Sequence, residues 1–130
     1  TRPAMKIIKE ANSLDRVCIA SFSSKRLKLV GNLYPEVCLS MGPKETIKLF
    51  FASFGLYKKK IPGDCLQIPI YQYGIKLATK RFVKYVQGIG LKIHVWTIND
   101  EDTMQKLIDL GVDGIITDRP KALKDLLSNR

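Results

Sequence analysis

The chain has 130 residues and a formal net charge of +10, from 22 lysines and arginines against 12 acidic residues. This length predicts a single domain over residues 1–130 and excludes a multidomain machine. The 45% of hydrophobic residues excludes a disordered chain. The longest nearly apolar stretch, 49–57, is much shorter than the roughly 20 residues that a membrane span needs, so membrane contact is not expected.

The basic residues are scattered apart from Lys58–Lys60, and no RNA-binding or helix-turn-helix motif accompanies them. The charge therefore favours anionic partners in general, and nucleic acid is not expected to be one of them. The first residue is Thr1, which predicts either a processed chain or a piece of a longer one.

In the first half of the chain, helical patterns alternate with short apolar runs that lack polar alternation. Such runs are typical of parallel strands that are covered on both faces. In chain order we predict a helix over 3–14, a strand over 17–22, a helix from Ser23 or Ser24 to Gly31, a strand over 37–40 and a helix opened by Gly42 and Pro43.

That third helix carries large apolar residues at helical spacing, namely Ile47, Phe50, Phe51 and Phe54. Together with the lysines that follow, the stripe could form an interfacial membrane helix. The alternative that we prefer is an outer helix that buries the stripe against a sheet.

The second half continues the alternation and contains an aromatic segment, 70–78, which predicts either a small hairpin or a loop. The other predicted elements are a strand over 65–69, a helix capped by Thr79, a strand over 91–96, a helix capped by Asn99 or Asp100 and ended by Gly111, a strand over 112–117 and a helix capped by Asp118. A helix followed by five strand–helix units predicts an α/β protein with a parallel sheet.

The sequence contains neither a GxGxxG nor a GxxxxGK[ST] motif. It therefore lacks the phosphate-binding loop that would indicate a nucleotide-binding Rossmann or P-loop protein. The alternative is a (β/α) barrel, in which functional residues lie at the carboxyl ends of the strands. In this sequence those ends carry Ser21 and Phe22, Ser40 and Met41, Gln67, Trp96, Thr97 and Asn99, and Thr117 and Asp118.

The three cysteines, Cys18, Cys38 and Cys65, are widely spaced and form no CxxC pair. This spacing argues against a structural zinc site. Each cysteine has apolar neighbours, which predicts buried free thiols in a reducing compartment and hence a cytoplasmic protein.

Several strand-end motifs resemble one known family. The segments HVWTIND (94–100), MQKLIDLGVDGIITDRP (104–120), ASFS (20–23) and DCLQIPI (64–70) are similar to the C-terminal portion of the glycerophosphodiester phosphodiesterase family. The resemblance implies a TIM barrel that hydrolyses glycerophosphodiesters to an alcohol and glycerol 3-phosphate. It also implies a divalent cation, Mg²⁺ or Ca²⁺, held by acidic residues, and two histidines that act as general acid and base.

In that family the catalytic His-Arg-Gly, the Glu-x-Asp metal motif and the second histidine lie in the N-terminal half, and none of them occurs in this sequence. A complete barrel takes about 250 residues, so the resemblance implies a partial barrel that corresponds to its fourth to eighth strands. We therefore expect no catalytic residue, no metal ligand and no activity from this chain alone. The missing N-terminal half, or self-association through open strand edges, is expected to complete it. The alternative is a non-catalytic binding or self-associating structural module.

By the same resemblance, Trp96, Phe22 and Gln67 are the candidate substrate-binding residues. The indole of Trp96 would pack on the carbon skeleton of glycerol, Phe22 would form an opposite apolar wall, and the amide of Gln67 would donate or accept a hydrogen bond. The alternatives are a core tryptophan and simple packing of Phe22.

The other polar residues near the strand ends have structural interpretations. His94 shares its strand face with Trp96 but lies deeper, so we expect a buried core histidine beyond reach of the substrate. Asn99, Asp100 and Asp118 are expected to cap helices, with Arg119 as an ion partner of Asp118.

Overall fold

The computed structural model describes residues 1–56 and 61–128, so the Lys58–Lys60 run lies outside the described residues. The chain divides into two compact units, Thr1–Cys65 and Leu66–Arg130.

The first unit alternates helices with two short parallel strands. Its elements are α1 (Arg2–Glu10), a 3₁₀ turn (Leu14–Arg16), β1 (Cys18–Ile19), α2 (Ser24–Leu33), β2 (Cys38–Leu39) and α3 (Pro43–Ala52). Cys18 is paired with Cys38 and Ile19 with Leu39 in a parallel register, and Ser40 forms a parallel bridge to Cys65. Helix α2 supplies the crossover connection that parallel strands require.

One hydrophobic core cluster of the first unit lies on one face of β1 and β2. Met5, Val30 and Val37 are buried there, and the side chains of Ile19 and Leu39 pack against them. Successive residues of a strand point to opposite faces. Cys18 and Cys38 therefore lie on the face that points away from this core.

Helix α3 buries a different face from the one that its sequence predicts. Thr46, Leu49 and Ala52 are the buried residues, whereas Phe51 and Phe54 are 40% and 49% exposed. The phenylalanines instead contact one another, with ring centroids of Phe50 and Phe54 5.3 Å apart. The prediction that the helix buries its Phe stripe is therefore wrong, because the fully buried residues lie on the neighbouring face.

Helix α2 also runs past its predicted stop at Gly31 and ends at Leu33. A Cβ atom at Gly31 would lie 3.0 Å from Leu39 Cδ1. This glycine thus allows the helix to approach β2 closely, and does not end the helix as a C-cap glycine would.

The second unit contains a three-stranded sheet, in the order β3-β6-β7, and a separate hairpin, β4-β5. Its elements are β3 (Cys65–Ile68, beginning at the last residue of the first unit), β4 (Tyr71–Gln72), β5 (Ile75–Lys76), α4 (Lys80–Gly88), β6 (Lys92–Val95), α5 (Glu101–Leu110), β7 (Gly114–Ile115) and α6 (Pro120–Ser128). Strands β6 and β7 are parallel. The aromatic segment is the hairpin of the two predicted alternatives, because Tyr73 and Gly74 both have positive φ, as a tight hairpin turn requires.

Local signals predict the starts of α4 and α5 correctly, whereas α6 begins at Pro120 and the carboxylate of its predicted cap, Asp118, bonds to Asn99. The Thr79 hydroxyl accepts a hydrogen bond from the Phe82 N–H at the start of α4, and the Asp100 carboxylate accepts one from the Thr103 N–H at the start of α5. Helix α5 ends at Gly111 in the left-handed conformation. The fully buried side chains come from α4, α5, the three-stranded sheet and the segment after β5, and the largest are Phe82, Leu66, Ile68, Leu77, Ile93 and Met104.

Asp113, just before β7, is a hydrogen-bonding centre of the second unit. Its carboxylate accepts from Lys92 Nζ (2.9 Å), from the Ile93 N–H (3.1 Å) and from Gln87 Nε2 (3.2 Å). Burial acts to raise the pKa of Asp113, but the hydrogen bonds from Lys92, Ile93 and Gln87 together outweigh it and hold the pKa below its usual range.

We expect Asp113→Asn to destabilise the protein by about 1–2 kcal/mol at neutral pH, because it removes a charged acceptor from three donors. A carboxylate whose pKa is lowered by folding contributes its full stabilisation above its pKa in the unfolded chain, about 3.9. This stabilisation is lost as the pH falls through the lower pKa of the folded protein. Urea denaturation should thus show a difference in the free energy of unfolding between the wild type and Asp113→Asn at pH 7, and this difference should become smaller below pH 4. A difference that stays constant over that range would contradict this role.

Both units alternate helices with short parallel strands, which confirms the α/β class that the sequence predicts. Within the described residues the strands form open sheets. No helix in this part of the chain has both the length and the apolar character to cross a membrane.

Candidate substrate-binding strand ends

Trp96 immediately follows β6, at the carboxyl end of the sheet of the second unit. Its backbone N–H donates a 3.0 Å hydrogen bond to the carbonyl of Ile68, the last residue of β3. The side chain is half-buried, and the Trp96–Thr97 peptide bond is cis. Gln67, within β3, is half-buried as well. The strand-end location of Trp96 is thus as predicted, and part of its side chain is accessible.

Phe22 lies in the first unit, in the segment between β1 and α2 that follows the carboxyl end of β1. Its side chain is 79% exposed, the largest exposure among the large hydrophobic residues described. An exposed aromatic residue at a strand end offers apolar surface to a ligand or partner rather than filling the core of its own unit.

Asn99 connects the two loops that follow β6 and β7. Its Oδ1 accepts from Thr117 Oγ1 (3.1 Å) and from the Asp118 N–H (2.9 Å), and its Nδ2 donates to Asp118 Oδ2 (2.9 Å). Of the two predicted caps for α5, Asp100 is the one that caps, and hydrogen bonds from Thr103 hold the pKa of Asp100 below its usual range. Asn99 fixes the geometry of the strand ends instead.

Arg119 pairs with a different acid from the one predicted. Its guanidinium donates to Glu101 Oε1 (3.1 Å) and to the Asn99 carbonyl (2.9 Å), whereas the carboxylate of Asp118 accepts from Asn99. The expected Asp118–Arg119 ion pair is therefore wrong. Asp118 is already held by the Asn99 amide, and Glu101 lies within reach of the guanidinium.

His94 lies within β6, opposite Gly114 of β7. A Cβ atom at Gly114 would be only 2.7 Å from His94 Cδ2, so the imidazole occupies the space above this glycine. The ring is half-buried rather than buried as predicted. Its place inside the strand, two residues before Trp96, agrees with the interpretation of a structural histidine.

The three cysteines come together, although their wide spacing in the sequence does not predict it. All are free; the Sγ atoms of Cys18 and Cys65 are 3.3 Å apart and those of Cys38 and Cys65 are 3.9 Å apart. Cys65 is buried, Cys38 is half-buried and Cys18 is exposed, so the prediction of burial is confirmed for Cys65 and wrong for Cys18. The hydrogen bond to Cys65, together with burial, raises the pKa of Cys18, and chiefly burial raises that of Cys38. The sequence carries a partial signal, since each cysteine is the first or second residue of its predicted strand.

The cysteines are also the one group of His, Cys, Asp or Glu in the described residues that is spaced to hold a metal ion. Thiol sulfur is a poor ligand for Mg²⁺ or Ca²⁺, which take oxygen ligands. The described residues therefore do not fit the divalent cation that the family resemblance implies.

Helices that alternate with parallel strands, and polar residues at the strand ends, are typical of (β/α) barrels. The chain belongs to the glycerophosphoryl diester phosphodiesterase family, whose model matches residues 3–122. This finding confirms the family that the strand-end motifs indicated.

Relatives of known sequence cover nearly all of this chain. A probable glycerophosphodiester phosphodiesterase 2 of Mycobacterium tuberculosis is 30% identical over 134 residues, covering 98% of this chain and 51% of the relative. A glycerophosphodiester phosphodiesterase of Caldanaerobacter subterraneus is 27% identical and covers 95% and 47% respectively. The chain thus spans about half the length of the curated relatives it matches.

Solved structures of similar fold also match nearly all of this chain and about half of their own length. A glycerophosphodiester phosphodiesterase from Parabacteroides distasonis superposes with a TM-score of 0.74 at 24% identity, over 99% of this chain and 50% of that one. An Oleispira antarctica phosphodiesterase, solved in complex with the product sn-glycerol-3-phosphate, superposes with a TM-score of 0.71 at 18% identity, over 98% and 48%. The fold is therefore a partial TIM barrel.

Proposed function

We propose that this chain is the C-terminal part of a glycerophosphodiester phosphodiesterase and hydrolyses its substrate only together with an N-terminal half that supplies the histidine pair and the metal ligands. The observation that carries this proposal is the match of residues 3–122 to the family, combined with coverage of about half of each relative. The single histidine supports it too, because His94 lies inside a strand.

The role that we propose for this chain is to supply part of the substrate-binding surface. Trp96 and Phe22 each present aromatic surface at the carboxyl end of a strand, where a barrel enzyme binds its substrate. Such surface suits the carbon skeleton of glycerol. Gln67, half-buried on β3, would add a hydrogen bond through its amide.

A hard divalent cation, Mg²⁺ or Ca²⁺, remains part of this proposal as a property of the assembled enzyme. Bound there, it would polarise the phosphoryl group. Its carboxylate ligands would come from the other half. What the described residues of this chain contribute is binding and orientation of the substrate.

The role of Trp96 can be tested in a chimera that joins this chain to the N-terminal half of the M. tuberculosis relative. We expect Trp96→Ala to raise KM for a glycerophosphodiester about tenfold, because loss of apolar contact with the indole costs about 1.4 kcal/mol of binding. Steady-state release of glycerol 3-phosphate measures this effect.

Matched variants separate this role from a loss of folding. Trp96→Phe keeps an aromatic ring and should retain most of the affinity. Phe22→Ala should also raise KM, whereas Phe54→Ala removes a phenylalanine that is 49% exposed away from any strand end and should not. If Trp96→Ala and Phe22→Ala were both silent in a folded chimera, the proposed binding surface would be refuted.

A second candidate is a self-associating module. Strands β1 and β7 each lie at the end of their sheet order and have a single strand neighbour among the described residues. Unpaired strand edges promote association. Sedimentation velocity should therefore show species larger than the 14.7 kDa monomer. A clean monomer with a cooperative thermal transition would exclude this candidate.

A further inference from the structure

The three thiols of the first unit form a cluster that the proposed phosphodiesterase function does not use. Cys18 and Cys38 are register partners at the start of β1 and β2, and Cys65, at the start of β3, is bridged to the neighbouring Ser40. Adjacent strands thus bring together three residues that are at least 20 positions apart in sequence.

The orientation of the thiols follows from the packing of the first unit. Ile19 and Leu39 point into the core, with Met5 and Val30. Strand alternation turns Cys18 and Cys38 towards the opposite face, where both of their sulfurs lie near Cys65 Sγ. All three Sγ atoms lie within 4.8 Å of one another.

These distances suit a single metal ion. Three sulfurs bound in a plane at about 2.3 Å from one ion lie about 4 Å from each other. The distances of 3.3 Å and 3.9 Å, and the 4.8 Å limit for the third pair, lie around that value. Small side-chain rotations would therefore make the three distances equal. A disulfide could join only two of these sulfurs and would leave the third thiol unpaired.

A second observation on the same face concerns Ser40. It is two residues after Cys38 and beside Cys65, and its Oγ is buried without a hydrogen-bond partner among the described residues. A buried hydroxyl normally has a partner. A water molecule bound to an ion on this face would supply one.

We propose that Cys18, Cys38 and Cys65 form a three-thiolate site for a thiophilic d¹⁰ metal ion, Cu(I) or Zn(II). Sulfur ligands select such ions and reject Mg²⁺ and Ca²⁺. Cu(I) would be bound by the three sulfurs alone, whereas Zn(II) would add a water as its fourth ligand. The exposed Cys18 provides the route of entry, and the bound ion would link β1, β2 and β3.

The test is anaerobic titration of the fully reduced chain with Zn²⁺ and, separately, with Cu(I), each against a competing chelator. We expect one ion of at least one of these metals per chain, protection of all three thiols from alkylation, and a higher midpoint of thermal unfolding. X-ray absorption spectroscopy should show three sulfur neighbours around either ion. An additional oxygen neighbour would distinguish Zn(II) from Cu(I).

Cys18→Ser is the decisive variant because the side chain is exposed, and folding can be verified by circular dichroism. We expect it to weaken metal binding at least about tenfold, since even the loss of an outer-shell partner costs 10–100-fold. Ala20→Ser is the matched control, because it adds a hydroxyl at the exposed residue two places further along and should bind as the wild type does. Where Cys18→Ser fails to fold, the thiol-protection count of the wild type decides.

Three results would overturn the site: equal affinity in Cys18→Ser and the wild type, thiols that stay reactive at saturating metal, or no binding of either ion. If the cluster served only to form a Cys18–Cys65 disulfide, the fully reduced chain would bind neither ion. None of these measurements involves hydrolysis, so failure of the phosphodiesterase proposal would leave them unaffected.

Discussion

Replacing Phe82 with alanine is expected to lower the free energy of unfolding by about 3–5 kcal/mol. The ring is fully buried, and it lies on the face of α4 that also buries Val83 and Val86. Truncation removes the largest fully buried side chain of the described residues and leaves a cavity that its neighbours fill only in part. Urea denaturation followed by circular dichroism measures the loss.

The matched control for Phe82→Ala is Lys84→Ala, which truncates a long side chain on the exposed face of the same helix. It should change stability by no more than about 0.5 kcal/mol. If the two variants were equally stable, the assignment of Phe82 to the core of the second unit would be wrong.

Gly63→Ala is expected to destabilise the first unit by about 2–5 kcal/mol, the sum of backbone strain and overpacking. Gly63 has φ of +136°, a conformation that residues with a side chain rarely adopt. A Cβ atom there would collide with Cγ of the buried Met41 and would lie 3.4 Å from its Cα. Because the contact includes backbone, a side-chain rotation cannot relieve all of it.

Substitutions at two other glycines distinguish the effect of backbone strain from that of the collision with Met41. Gly55 has φ of +78° and Gly88 has an ordinary φ, and neither would bring a Cβ within 4 Å of another atom. Gly55→Ala should therefore cost only the strain, about 1–2 kcal/mol. Gly88→Ala should be neutral or stabilise α4 by up to about 1 kcal/mol. Equal effects in all three variants would refute the proposed contact with Met41.

Features determined by nearby residues were predicted well. The caps at Thr79 and Asp100 and the stop at Gly111 each depend on hydrogen bonds or a conformation within one turn of helix. The order of helices and strands follows from the same local signals, and with the strand-end motifs it was enough to indicate the correct family.

Features that depend on a distant partner were missed. The residues that pack against α3 determine which face it buries, so the Phe stripe predicts the wrong face. Asn99 looks like a cap in sequence, but its partners Thr117 and Asp118 follow another strand. The cysteine cluster requires the strand register, which spacing along the chain does not reveal.

The candidate site falls between these cases. The apolar pattern of β6 predicts Trp96 at a strand end, and the Trp96 N–H bonds to the carbonyl of Ile68 at the end of β3. The function of that indole came from the family resemblance rather than from physical reasoning, so the binding role of Trp96, Phe22 and Gln67 stays a prediction.

The most direct test of the half-barrel function is the release of glycerol 3-phosphate from a glycerophosphodiester in the presence of Mg²⁺ or Ca²⁺. The chain alone should release none, and the chimera with the N-terminal half of the M. tuberculosis relative should hydrolyse the substrate. Turnover by the isolated chain that Trp96→Ala weakens, or a folded chimera without activity, would contradict the proposal.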